Sequence, residues 1–287
     1  MSVIGYDNPG EAGFPSPAVW GDCPNTLLND KGLGYFVQAN AFGDETTLPG
    51  KLITDADGST TYTYDTGTGD ERAVDVAVSG TDNNAVALHT RPLAKVVKGS
   101  GVKLWAEADI ALAAITDQAF FFGFAEDAAL DRDIVADDPS NSAQAGLDTE
   151  SLIGFVSQQN TSATDKIDAV YRKDNGSVVT VLADVGNASA FDPTNTTGVG
   201  FDRDNAAQTA TKPGDLAADE FVRLGVSFNG RDKLTWYVNG LRVVDQEVDS
   251  TVDKSKEYGA ILALKTGAAA ARTLRYRFVR AAAQLRY

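Results

Sequence analysis

The sequence predicts an all-β protein built from two packed antiparallel sheets, with an extended N-terminal arm, and three observations carry that prediction. Short runs of alternating apolar and polar residues recur from residue 34 onward, and such alternation marks half-buried strands because successive side chains point to opposite faces. Turn-forming clusters such as DADGS, DTGTGD and GTDNN separate the runs. No stretch of ten or more residues carries a convincing helical period. Roughly fifteen strands in one open sheet would twist and curl, so they are expected to divide into two layers.

Taken in order, residues 1–31 are rich in Gly, Pro and Asn with scattered Phe14, Trp20 and Leu27. That composition supports no regular element and reads as an arm lying extended on a surface, with residues 32–287 as the sandwich domain. Strands follow at YFVQA (35–39), KLIT (51–54), TTYTY (60–64), RAVDVAV (72–78), AVALHT (85–90), LAKVV (93–97), VKLWAEADIAL (102–112) and AFFFGFA (119–125). The second half supplies SLIGFVS (151–157), IDAVYRK (167–173), SVVTVLADV (177–185) and ILALK (261–265). AFFFGFA and ILALK are nearly continuous apolar runs, expected for central strands covered on both sides. Between them AEDAALDRDIVADD (125–138) has room for one or two helical turns, and the long segments 126–150 and 186–219 read as functional edges or lids.

The clearest local signal is FVRLGVSFNGRDKLTWYVNGLRVV (221–244). Phe221, Arg223 and Gly225 alternate with Val222, Leu224 and Val226; Leu234 and Trp236 share one face of the next strand, with Thr235 and Tyr237 on the other. Asn239-Gly240 supplies the two positive-φ residues of a type I′ turn, so Val238 and Leu241 should pair across it.

Bulk properties narrow the function. A single cysteine, Cys23, allows no internal disulfide and asks for no oxidising compartment. The first residues show neither a basic start nor an apolar run, so no signal peptide is expected, and no stretch approaches a membrane span. A net charge of −15 repels phosphate backbones and anionic lipid, which speaks against nucleic acid or membrane as partner. The charge is uneven: residues 272–287 carry five Arg and no acid, leaving −20 on the remainder. Two destinations are open to those arginines, the protein's own acidic face or an acidic neighbouring subunit.

LGVSFNGRDKLTWYVNGLRV resembles the hairpin of the concanavalin A-like lectin and glucanase superfamily, laminin G-like branch, where a strand of the type v-x-v-x-f-D/N-G leads to l-x-x-Y-V-N/D-G. The order KLWAEADIAL, QAFFFGFAE, LIGFVS and IDAVYRKDNGSVVTVLADV is similar to a group of tailed-phage structural proteins with a jelly-roll of this kind. The resemblance spans residues 102–280 and implies a jelly-roll sandwich far more securely than any activity.

Its enzymatic members imply one chemistry to test, retaining glycoside hydrolysis, whose strand signature is E-x-D-x-E or E-x-D-x-x-E. Here the strand reads Glu107-Ala108-Asp109-Ile110-Ala111-Leu112, without the second glutamate in either register. Glu107 and Asp109 would stand roughly 6.6 Å apart on one face, against the about 5 to 5.5 Å of a retaining pair, and they read as an outward acidic face. His89, the only histidine, lacks a G-x-S-x-G nucleophile and reads as a surface or strand-end residue; with Cys23 it falls short of a zinc site. Cys23 itself reads as a buried small hydrophobe. Asp131, Asp133, Asp137 and Asp138 crowd one loop, and the laminin G-like resemblance leaves calcium there open. Trp105 and Trp236 lie in strands, so aromatic platforms for sugar are scarce.

No catalytic constellation and no cofactor are therefore expected. These features, with the resemblance, lead to a virion protein made in the host cytoplasm that decorates or cements the outside of a capsid. Its expected partners are the major capsid protein and further copies of itself, a trimer being favoured. Phe14, Trp20, Arg275, Arg277 and Arg280 are the expected partner contacts. The alternative is a carbohydrate-binding module on a fibre or spike.

Overall fold

The computed structural model describes residues 16–23, 34–40, 52–65, 73–135, 137, 147, 150–158, 167–173, 176–183, 185 and 218–284. Sixteen strands among them form two eight-stranded, wholly antiparallel sheets, a jelly-roll sandwich. The front sheet runs β14 (Leu241–Glu247), β13 (Lys233–Val238), β12 (Val222–Phe228), β7 (Lys103–Leu112), β16 (Arg272–Gln284), β4 (Ala73–Val78), β3 (Thr60–Asp65). β1 (Gly34–Asn40) also pairs with β16, because that strand is long enough to hold β4 on its first half and β1 on its second. The back sheet runs β11 (Val179–Leu182), β10 (Asp168–Arg172), β9 (Leu152–Gln158), β8 (Gln118–Glu126), β15 (Glu257–Thr266), β5 (Ala85–His89), β2 (Ile53–Ala56), with β6 (Ala94–Lys95) also on β15. The segment from 34 to 100 thus contributes to both sheets of the same sandwich.

The strands fall where the alternation places them, with LAKVV reduced to a two-residue β6 and KLIT displaced to Ile53–Ala56. The hairpin is as read: Val238 pairs with Leu241, and Asn239 (φ 49°) with Gly240 (φ 78°) makes the reversal. The arm differs from its expected extended form, since Pro17–Trp20 make one helical turn with proline at its start, where a missing N–H is tolerated. Phe14 lies outside the described residues.

Alternating residues of β7, β12, β13, β16 and β4 interleave with those of β8, β15, β9 and β5 to form the core between the sheets, including Phe120, Phe122, Phe124, Phe155, Phe228, Trp236 and Tyr276. Trp236 crosses it, its indole N–H donating to the Gly154 carbonyl at 2.9 Å and tying the front sheet to the back. A second apolar layer lies on the outer face of the back sheet. There Phe121, Ile261 and Ala263 are covered by Ala129, Leu130, Ile134, Val135 and Leu147. The expected helical turns of 125–138 are two single 3-10 turns, Asp127–Ala129 and Arg132–Ile134, and they form part of this lid. β8 and β15, whose apolar runs are continuous, are neighbours at the centre of the sheet and are buried on both faces.

Trp236→Phe removes the donor and shrinks the buried ring, so the Gly154 carbonyl loses that partner and a small cavity opens in the core. Urea unfolding of this variant is expected to show a loss of about 1 to 3 kcal/mol, with the slope unchanged.

Candidate functional site

The outer face of the front sheet is where the sequence places its candidate glycosidase acids, Glu107 and Asp109. β7 turns Leu104, Ala106, Ala108 and Ile110 into the core and Trp105, Glu107 and Asp109 to the other side. That face is not open to water: Glu107 is 0% exposed and Asp109 3%. Expectation and structure agree on the direction of these side chains and differ on their surroundings, because residues 16–23 lie over them.

The cover is specific. The Ser16 amide N–H donates to both carboxylate oxygens of Glu107, at 3.1 and 3.0 Å, and the Trp20 indole N–H donates to Oε2 at 2.6 Å. Asp22 accepts from the Trp105 indole at 2.8 Å and pairs with Lys103 at 2.7 Å. Val19 sits over Gly225, where a Cβ would come within 2.7 Å of its methyl group, and a Cβ on Gly240 would meet the Ser16 hydroxyl at 2.7 Å. Val19, Trp20, Trp105 and Ala282 make a small apolar cluster, joined by Cys23 and Tyr237. Cys23, read from the sequence as buried, packs against this cluster but is only half-buried. Burial pushes its thiol up to about 12, far from a reactive thiolate.

The arginines of the last strand meet this face from beside it. β16 slips register between Tyr276 and Phe278, a bulge that lets Arg277 join the outer side with Phe278 and Arg280. Arg277 and, from β12, Arg223 approach Asp109 at 3.4 and 3.7 Å. Arg277 stacks on Phe221 with 3.7 Å to the ring centre, and Arg280 on Phe278 with 4.3 Å. Arg275 bridges Asp75 and Asp219, at 3.0 and 2.6 Å. Of the two destinations open to the arginines, Arg275 and Arg277 take the protein's own acids. Trp20, Arg277 and Arg280 are 8%, 8% and 7% exposed, so their expected role as partner contacts is corrected: each is already inside the chain. Arg275 remains partly exposed.

Burial dominates the electrostatics. It pushes the Glu107 carboxyl up to about 7, opposed by the Ser16 amide, the Arg223 charge, the Trp20 indole and Arg280. Asp109 is likewise raised by burial, against Arg223 and Arg277. Both Glu107 oxygens already receive N–H donors, and Asp109 faces two guanidinium groups, so neither acid is presented to an incoming glycosidic bond in this arrangement.

The other candidates disperse. His89 ends β5, but it is buried rather than on the surface, with Nδ1 2.9 Å from the Thr90 carbonyl. Asp131 caps the Asp133 amide; Asp133 and Asp137 lie 3.6 and 2.7 Å from the buried Lys265 ammonium, which also donates to the Val135 carbonyl. A lysine cation thus stands among acids that the resemblance left open to calcium. Asp138 and residues 186–217 lie outside the described residues, and among the described residues no group of three or more His, Cys, Asp or Glu could hold a metal. All three tryptophans are buried.

No protein-family model matches this sequence, and no curated protein matches it. Solved structures do. Peanut lectin in complex with a nine-residue peptide aligns with a TM-score of 0.52 at 11% identity, covering 88% of this chain and 98% of the lectin. A protein of unknown function from Shewanella oneidensis MR-1 gives 0.51 at 9% identity, covering 88% and 87%. The carbohydrate recognition domain of Emp47p gives 0.50 at 10% identity, covering 85% and 93%. The fold is that of the concanavalin A-like lectins and glucanases. At these identities the likeness concerns the fold alone.

Glu107 has an unfolded value near 4.5 and a folded value of about 7. A raised carboxyl favours the folded state when protonated, so its contribution is complete below pH 4.5 and is lost as pH rises through 7. Glu107→Gln cannot ionise. Compared with the parent, its unfolding free energy should gain about 2 to 3 kcal/mol between pH 5 and pH 8. Urea titrations at the two pH values check this, and parallel pH slopes would contradict it.

Proposed function

We propose that this chain is a non-catalytic adhesion module of a virion, a decoration protein that binds the outside of a capsid shell through protein contacts. The observation that carries this reading is the enclosure of Glu107 and Asp109. The acids that would have to do glycosidase work are met by Ser16, Trp20, Arg223 and Arg277 of the same chain. The chain itself also covers the centre of each outer sheet face among the described residues, which directs binding to the periphery of the sheets. The virion setting rests on the resemblance of 102–280 to tailed-phage structural proteins, and host-cytoplasmic synthesis on the lone cysteine. The partners under this reading are the major capsid protein and further copies of the chain, as a trimer. With no metal or cofactor required, attachment works by apolar burial worth about 25 cal/mol per Å², repeated over many copies, less the cost of ordering each contact.

A second reading is a glycan-binding module of a fibre or spike, supported by the lectin and the carbohydrate recognition domain among the structural neighbours. The two readings separate experimentally. Purified protein mixed with undecorated capsids of the phage that encodes it should sediment with them in saturable ratio. If it stays in the supernatant, capsid decoration fails; saturable binding on a glycan array would then establish the alternative.

A further inference from the structure

We propose that the outer face of the front sheet is a peptide-binding site reading the segment Ser16–Asp22, and that a second copy of the chain can supply that segment. This inference is independent of the virion reading, since it rests only on how residues 16–22 are recognised.

Recognition is distributed along the segment and made by side chains of the sheet. Glu107 holds the Ser16 amide at the start of the segment and the Trp20 indole within it. Gly225 leaves the notch for Val19, and Lys103 with Trp105 holds the Asp22 carboxylate. Each of these contacts is a feature of a docked peptide, and none depends on which chain the peptide belongs to. Only the connection imposes that choice.

The connection is long for its task. Lys103, the partner of Asp22, pairs with Gln284, which pairs with Gly34 at the start of β1. Asp22 is therefore anchored about two strand spacings from the point where the chain re-enters the sheet, roughly 10 Å across the sheet. Eleven residues, 23–33, join them, and that number can reach roughly 36 to 40 Å. That reach exceeds the span, so chain length alone admits docking on the chain's own face or on a neighbour's. A short tether gives the chain's own segment a millimolar effective concentration, so dilute protein closes on itself. Exchange then follows where copies are held close together or where self-docking is impaired.

Complementary full-length variants test this. Gly225→Leu retains a competent segment and fills the notch that receives it. Val19→Asp retains the notch and disables the segment. Each alone should keep the mass of the parent protein by light scattering. The equimolar mixture should form a 1:1 complex of twice that mass, because one docking of intact segment on intact face is available only between copies. A labelled peptide of residues 14–23 provides a measurement that needs no folded Gly225→Leu protein. It should bind Val19→Asp saturably by fluorescence anisotropy and lose that binding when Gly225→Leu is added. Peptide binding without a mass change on mixing keeps the site and overturns exchange; no binding in either experiment overturns both.

Discussion

A carboxylate with no access to water is the constraint on which the front half of this molecule is organised. Glu107 sits mid-strand on β7, and desolvation alone would drive it neutral or out of the fold. The molecule meets it with the backbone and indole of residues 16–20 and with arginines from the two strands flanking β7. Asp109, two residues on, draws Arg223 and Arg277 from those same strands. The β16 bulge serves this arrangement, since strict alternation would send either Arg277 or Phe278 into the core. Burying such groups is a weak source of net stability, but removing one partner strands the others, so the set specifies one geometry.

The back sheet shows the same device with the opposite charge. Its lid of 3-10 turns is pinned by Lys265, which is 2% exposed and meets the Val135 carbonyl and Asp137. In each sheet a mostly apolar cover is placed by one buried ionisable side chain that hydrogen-bonds to it, Glu107 in the front sheet and Lys265 in the back. Apolar contact supplies the area; that side chain supplies the register. The result is a sandwich with covers on both outer faces, and the central strands β7, β8 and β15 are accordingly buried on both sides.

Much of this was legible in the residues. The period-two runs located the strands, because a strand's alternation is a local property of its own side chains. Asn239-Gly240 announced its turn through the positive φ that both residues tolerate. The unbroken runs of β8 and β15 announced two-sided burial. What misled was polarity. Glu107 and Asp109 read as an outward acidic face, and Arg277 and Arg280 as contacts for a partner, because sequence spacing reveals which side of a strand a residue occupies but not what covers that side. Trp20 read as a free anchor for the same reason, its acceptor lying 87 positions away.

By itself, then, the sequence determined the class of fold, the order and faces of its strands and the tight hairpin, all of which follow from neighbours a few residues apart. Tertiary structure alone decided that the acidic strand is enclosed, that the basic strand answers it, and that residues 16–23 fold back as a cover. Those outcomes depend on which distant groups share a space too dry to leave a charge unmet, and no local pattern encodes that.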